Sequence, residues 1–507
     1  MGPTPAPDPG LNMAFCAISP HPEATKIGNA LLADGHSAAA AAVAMGAYLS
    51  VAMPHFCGIG GDAVWLVSDR TGAVQAINGI GQAFDFTAQV DQIDTRGPRS
   101  ILTTAAAVAT WDAALRLFGD TTALSTLLGP AARAAADGIV VTPSQAFWRD
   151  MRAEEMAAWH GFAPYRNAPA GSLLRQPALA NTLTALIENG LPDFYTGTLA
   201  NTILDDLAQL GVPATAADLA ATSARVTPAL SVGYRGAQLY APPPPTQGVT
   251  TLQIMGILAA SGPARTGAAD YHLMVEAVKR AFLDRRTLDD SPQAHAAAIA
   301  TLAPAHLQAQ AAAIDPNQAL PWPWPYNSAD TVYFAAYDQN GGCVSALQST
   351  YFDWGSGCVL PQTGLIWHNR GASFGLTDGP NRLAPRRRPF HTLNPGIATK
   401  GGKPWLLYGT QGADGQPQTL TVLLRHAIDQ NLPPADALRA PRFLLGRTFS
   451  DGRDTLKLEP TGYEDALRAL GHQISPIAPL SPLAGQAGMI RIEGETVTCA
   501  HDQRGQG

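Results

Sequence analysis

Between Thr331 and Tyr337 the chain is dense in β-branched and aromatic residues. Asp338-Gln339-Asn340-Gly341 follows, with a Gly able to take a positive φ, and then a second apolar run, Cys343–Ser349. This pattern predicts a β-hairpin. The stretch before it, Pro321-Trp322-Pro323-Trp324-Pro325-Tyr326-Asn327-Ser328, joins neither a helix nor a central strand and reads as an irregular, exposed connector. Elsewhere the apolar spacing alternates between strand and helix periods. A helix is expected from His21 to Asp34, closed by Gly35, and a buried Ala-rich helix from Ser37 to Met53. Strands over 63–68 and 73–77 turn at Asp69-Arg70-Thr71-Gly72. Helices are expected over 103–118, over much of 122–137, and through most of 143–210. A strand pair spans 230–240, a helix 249–260, and a further hairpin joins 396–399 to 405–408. The segment 271–285 is amphipathic: Leu273, Val275, Ala277, Val278, Ala281 and Phe282 recur near the helical period, and Lys279, Arg280, Arg285 and Arg286 read as its solvated face.

Composition narrows the class. The chain has 507 residues, 46% of them apolar, and a formal charge of −7, which describes a soluble globular protein. The acidic balance argues against nucleic acid as a partner, and Arg386-Arg387-Arg388 is too short a run to reverse that. No apolar run reaches the ~18 residues of a membrane span. The first fifteen residues lack both the basic and the apolar regions of a secretory signal, so a cytoplasmic location is expected. The five cysteines, Cys16, Cys57, Cys343, Cys358 and Cys499, are far apart and contain no C-x-x-C, which gives no metal site.

Gly58-Ile59-Gly60-Gly61 looks like part of a dinucleotide fingerprint, but it precedes a hairpin rather than a helix. It reads as a tight bend. The proline run Pro242–Pro245 is either a peptide-module ligand or a rigid connector into the next helix. Thr331 has two readings. It is a strand residue like any other or, if the chain is cut after Asp330, a nucleophile whose own α-amine is the general base. An α-amine titrates near pH 8, so a useful fraction is unprotonated at neutral pH.

The motifs favour the second reading. D-T-V-Y-F from Asp330, D-x-[ND]-G-x-x-V-S from Asp338, Gln348-Ser349 and Gly355-Ser356-Gly357 together resemble the small-subunit start of the γ-glutamyltranspeptidases. Those are N-terminal nucleophile hydrolases that cut themselves before a Thr. H-P-x-A-T from His21, P-H-x-x-G-I-G-G-D from Pro54 and P-P-x-x-Q-G before Val249 extend the resemblance over nearly the whole chain. It is strongest to the branch that includes cephalosporin-acylase-like members.

The resemblance implies an α+β fold, a four-layer αββα sandwich. It implies a large subunit of residues 1–330 and a small one of 331–507, interwoven as a heterodimer after cleavage between Asp330 and Thr331. Thr331 would be the nucleophile and Ser349 the hydroxyl that orients it. The backbone N–H groups of Gly412 and Ala413 would hold the oxyanion, where the family has Gly-Gly. Such donors are worth ~3 kcal/mol each, and Ala is expected to serve with a negative φ. Neither metal nor organic cofactor is needed. The substrate is a small-molecule amide, γ-glutamyl or glutaryl-like.

Two departures from the family pattern bear on the substrate. The loop Asn78–Phe84 lacks the Arg that grips a γ-glutamyl α-carboxylate, and Arg96 and Arg99 are either substitutes for it or, as they read here, surface residues. Where transpeptidases place a polar residue and an acidic one for the α-amine, this chain has Arg370 and Ser373. His391 and Thr392 stand where the family pairs two hydroxyls against the carboxylate, and His391 is either a substrate contact or a satisfied loop histidine. Tyr351 falls where a substrate-contacting Asn is common. Three functions follow as alternatives: a γ-glutamyltransferase or glutathione hydrolase, a glutaryl-type (cephalosporin) amide acylase, or an unprocessed, non-catalytic binding protein.

Overall fold

The computed structural model describes residues 14–69, 71–322, 330–448 and 451–504, with the backbone alone at Asp330. Residues 323–329, most of the connector expected to be exposed, lie outside the described residues. Two six-stranded antiparallel sheets form the centre. The first runs in the order Cys16–Ile18, Asp330–Tyr337, Cys343–Tyr351, Asp62–Ser68, Val74–Gly79, Arg225–Pro228. The second runs Thr496–His501, Ala487–Glu493, Lys403–Thr410, Gly396–Lys400, Ala237–Ala241, Leu230–Tyr234. Each sheet takes strands from both sides of the 330/331 bond, so the two parts of the chain share one core.

Three apolar clusters define four layers. Val64, Leu66, Tyr333, Ala335, Leu347, Ile397, Leu407 and Ile490 pack between the sheets. Val332, Phe334, Ala336, Val344 and Ala346 point the other way, into a helical layer that includes the helix Ala38–Ala52. All fifteen residues of that helix are buried, and Ser37 caps it by accepting the Ala40 N–H. The outer face of the second sheet is covered by the helices Gly248–Ala260 and Ala268–Asp284. The αββα sandwich is therefore the fold observed. Its strict alternation follows from the period of two along each strand, which sends successive side chains to opposite layers. Among the described residues no helix is long and apolar enough to cross a membrane.

The expected hairpin forms in register, with Tyr337 opposite Cys343 and Val332 opposite Gln348. Several local expectations are corrected. The helix expected from Thr103 begins at Ala107, because Thr103 instead bridges to Ala83 and the Thr104 carbonyl meets His368. Lys279 is not on a solvated face: it is buried and bonds Glu276 Oε1 at 2.8 Å and the Leu320 carbonyl. Arg285 is likewise largely covered and pairs with Asp414. Arg96 is no surface residue either. It donates to the carbonyls of Asp353 and Gly355 and to the Asp353 carboxylate, pinning the turn after the hairpin. Arg99 is exposed, as expected.

Candidate active site

Thr331 is the second residue of its strand and is buried in the uncut chain. By the pleat it shares a face with Tyr333 and Ala335, which lie between the sheets. On the neighbouring strand Ser349 falls on the same face as Cys343 and Leu347. Gln348 points to the helical layer, where it bonds Ser50 and Trp111. Thr331 and Ser349 thus both face the opposite sheet. Tyr333 carries the contact across: a Cβ on Gly409 would come within 2.2 Å of its ring, so only Gly lets that strand approach. Gly409 lies three residues before Gly412, which brings the second sheet's exit turn to the end of the sandwich where Thr331 sits.

The register slips after Gln348, and Tyr351 returns to pairing opposite Asp330. This bulge puts Tyr351 at φ +81°, with its N–H donating to Ser349 Oγ at 2.8 Å. A bulky residue in the left-handed region is strained by roughly 1–3 kcal/mol, and bulges of this kind re-aim side chains. Here the bulge turns the Tyr351 ring toward Ala413, with which it shares a small buried cluster.

Gly412 has φ +114° and precedes a 3-10 turn, Ala413–Gly415, which continues into the helix Gln416–Leu424. The first N–H groups of a helix have no partners within it and carry its positive dipole end, so this turn suits a developing anion. Ala413 does not take the negative φ expected of it; it sits at +42°. The turn is over-determined from outside. The Gln247 side-chain amide donates to the Ala413 carbonyl at 2.7 Å and to the Thr392 carbonyl at 2.6 Å.

Arg370 is fully buried beside this turn, its guanidinium 3.6 Å from the centroid of the Tyr351 ring. Its Nη1 reaches the Phe390 carbonyl only at 3.5 Å and its Nε has no hydrogen-bond partner. Among the described residues no carboxylate lies within ion-pair distance of it. Burial pushes its pKa down to about 10, with Asp62 and Asp414 opposing from farther away. Ser373 Oγ lies 3.4 Å from the same Phe390 carbonyl, and it offers no charge for an amine.

His391 is buried. Its Nδ1 accepts the Leu393 N–H, and its Nε2 faces Asp62 Oδ2 at 3.3 Å. His368 Nδ1 lies 3.5 Å from the same oxygen, while its Nε2 is 2.9 Å from the Thr104 carbonyl. Burial, reinforced by Arg370, pushes His391 down to about 3, so its imidazole is neutral. Burial raises the Asp62 carboxyl, but His368, His391 and the Gly81 N–H outweigh that and hold it below its ordinary value. Thr392 is buried and contributes its carbonyl to Gln247.

Of the residues expected from sequence, Tyr351, Arg370 and Ala413 meet directly. His391 and Thr392 line the adjoining loop, and Thr331 and Ser349 share the inner face of the first sheet. The Asp330 side chain lies outside the described residues. Three residues in contact with these site residues or with one another were not named as site residues from sequence: Asp62, His368 and Gln247. The one available signal for Asp62 was an acidic residue ending G-I-G-G-D, directly ahead of a wholly apolar strand.

Away from this site, His272, Glu276 and His472 come within metal-ligand distance of one another. Their atoms are engaged by the protein. His272 Nδ1 lies 2.8 Å from His472 Nε2, and Glu276 takes Lys279 and the Leu320 N–H. The group reads as a buried polar staple.

A family profile described as Gamma-glutamyltranspeptidase matches residues 24–507. The chain is 38% identical to the oxamate amidohydrolase proenzyme of Klebsiella pneumoniae, over 97% of each chain. It is 34% identical to the glutathione hydrolase-like YwrD proenzyme of Bacillus subtilis, again over 97% of each. Among solved structures it is similar to the cephalosporin acylase from Bacillus halodurans, with a TM-score of 0.87 and 28% identity over 99% of this chain and 97% of that one.

Proposed function

Since the chain belongs to the gamma-glutamyltranspeptidase family and is a γ-glutamyltransferase-like enzyme of small-molecule amides, we propose that it cuts itself before Thr331 and then hydrolyses short amides whose acyl group carries a carboxylate. In the first step Thr331 Oγ attacks the Asp330 carbonyl carbon. The C–N bond breaks, leaving an ester and a free α-amine, and water resolves the ester into two chains, 1–330 and 331–507. These stay together as a heterodimer because both sheets draw strands from each chain. In turnover the α-amine of Thr331 takes the hydroxyl proton as Oγ attacks the substrate carbonyl. Gly412 and Ala413 N–H groups receive the oxyanion, and the same amine returns the proton to the leaving nitrogen. Water, or an acceptor amine, releases the acyl group from Thr331. Ser349 holds the nucleophile's orientation.

The observation that carries the substrate class is Arg370, a buried guanidinium beside the oxyanion turn that has no carboxylate partner among the described residues. A substrate carboxylate would supply the missing charge-assisted bonds. Ser373 in place of an acid leaves an α-ammonium unrecognised, which disfavours γ-glutamyl donors against oxamate-like or glutaryl-like ones. The processed enzyme is expected to release ammonia from oxamate or the anilide from a glutaryl anilide, and to act at least tenfold less well on a γ-glutamyl anilide. A preference for the γ-glutamyl anilide over both would overturn the substrate assignment.

A further inference from the structure

Gln247 is completely buried immediately before the helix Gly248–Ala260. Both of its amide hydrogens are spoken for by carbonyls, those of Thr392 at 2.6 Å and Ala413 at 2.7 Å. Two carbonyl acceptors fix which end of the amide is nitrogen, because the flipped amide would set its oxygen against both. The backbone adds to the grip: the Gln247 N–H donates to the His391 carbonyl at 3.0 Å, and the His391 N–H donates to the Pro245 carbonyl at 2.8 Å. One residue therefore joins the loop carrying His391 and Thr392 to the turn carrying Gly412 and Ala413. It does so from the other side of the 330/331 bond.

The Ala413 peptide needs such a hold. At φ +42° Ala413 lies in the left-handed region that L-residues disfavour. The turn keeps that conformation only if something outside it fixes the carbonyl direction. The Ala413 carbonyl shares a rigid plane with the Asp414 N–H, so holding it fixes ψ at Ala413 and with it the course of the turn that carries the Gly412 and Ala413 N–H groups.

We propose that Gln247 is a positioning residue for amide cleavage. It holds the Gly412–Ala413 turn so that its N–H groups face the carbonyl attacked by Thr331. This rests on the reading of those N–H groups as oxyanion donors given above. Loss of the hold spares ground-state binding, which is assigned to Arg370, and weakens only the interaction that grows as the carbonyl becomes tetrahedral.

The test compares Gln247→Met and Gln247→Glu with wild type, using oxamate or glutaryl anilide, whichever wild type turns over faster. Rates are taken per active site titrated with a threonine-directed covalent inhibitor, so that unfolded or uncut chains do not count. For Gln247→Met the expected result is a kcat about 10- to 100-fold lower, a share of the ~10²–10³ seen when an oxyanion donor is removed outright, with KM within threefold. Gln247→Glu is expected to be worse at neutral pH, where its carboxylate faces two carbonyl oxygens. Its kcat relative to wild type should rise as the pH is lowered and the new carboxyl gains a donor hydrogen. A fixed ratio across pH, a kcat within threefold of wild type in both variants, a change confined to KM, or failure of both variants to fold would each overturn the proposal in favour of a purely structural Gln247. If wild type itself neither cuts nor hydrolyses an amide, the functional reading fails instead, and the two failures are told apart by the wild-type control.

Discussion

Replacing Arg370 with Met should make the protein more stable and much less active. Burial lowers the Arg370 pKa by more than two units from its ordinary value, to about 10. At about 1.4 kcal/mol per unit, burying that charge costs on the order of 3 kcal/mol. Met keeps the length and apolar bulk of the side chain, but gives up a stacked contact with Tyr351 worth about 1–2 kcal/mol. The net gain is about 1–2 kcal/mol. With about 2.1 cal/mol/K of unfolding entropy per residue over 507 residues, that raises Tm by only about 1–2 °C. The activity change is far larger. Removing one partner of a buried, hydrogen-bonded charge pair costs about 2–5 kcal/mol, or about 30- to 5,000-fold in kcat/KM. The assay pairs thermal unfolding of the processed protein with ammonia release from oxamate. Reduced activity with an unchanged or higher Tm is the signature of a residue kept for its ligand at the expense of the fold. If Arg370→Met lowers Tm and leaves kcat/KM within threefold of wild type, Arg370 is a structural cation and the carboxylate assignment is wrong.

Three further outcomes follow from the same geometry. Ala413→Gly should retain activity within threefold, since Gly takes φ +42° freely, whereas Ala413→Val, β-branched in the left-handed region, should lose at least about tenfold in kcat; equal activity of the two would remove the strained turn from the account. The His391 pKa is about 3 in the folded protein against 6.5 unfolded, so the unfolded chain binds the extra proton and stability falls as pH drops below about 6.5. The drop in unfolding free energy from pH 7 to pH 5 should accordingly be about 2 kcal/mol smaller in His391→Gln than in wild type, and identical slopes in denaturant titrations would contradict the neutral, buried imidazole. Lys279→Met leaves Glu276 buried without its ammonium and should destabilise by about 3–5 kcal/mol in the same titrations; a loss under 1 kcal/mol would return Lys279 to the solvated face first expected of it.

The sandwich was legible where local pattern and tertiary demand agree. The Thr331–Ser349 hairpin, the Ala-rich helix and the 396–408 hairpin all announce themselves by period and turn residues, and they form close to where expected. The order of the strands is not a local property. That Asp330–Tyr337 lies between Cys16–Ile18 and Cys343–Tyr351 was not expected from the sequence and is seen only in the structure. Charged residues misled for a physical reason. Lys279 and Arg285 sit at positions that an amphipathic reading sends to solvent, and Arg96 in a loop, yet each finds a distant carboxylate or carbonyl, Lys279 a nearby Glu276 as well, that meets the cost of burial. The site splits the same way. Thr331 and the Gly-rich turn carry motifs, while Asp62 and His391 meet across more than 300 residues, and no local pattern pairs them. Ala413 shows the limit of residue-type reasoning: Ala predicted a negative φ, and an outside clamp on its carbonyl decided otherwise.

The central claim is that Thr331 becomes a free N-terminal nucleophile. Denaturing electrophoresis of the purified wild-type protein beside Thr331→Ala, followed by N-terminal sequencing of any smaller band, tests it most directly. The account predicts two wild-type chains, residues 1–330 and a second one beginning Thr331-Val332-Tyr333, and a single intact chain for the variant. A wild-type chain that stays whole while hydrolysing amides, or a variant that is cut at the same bond, would contradict it.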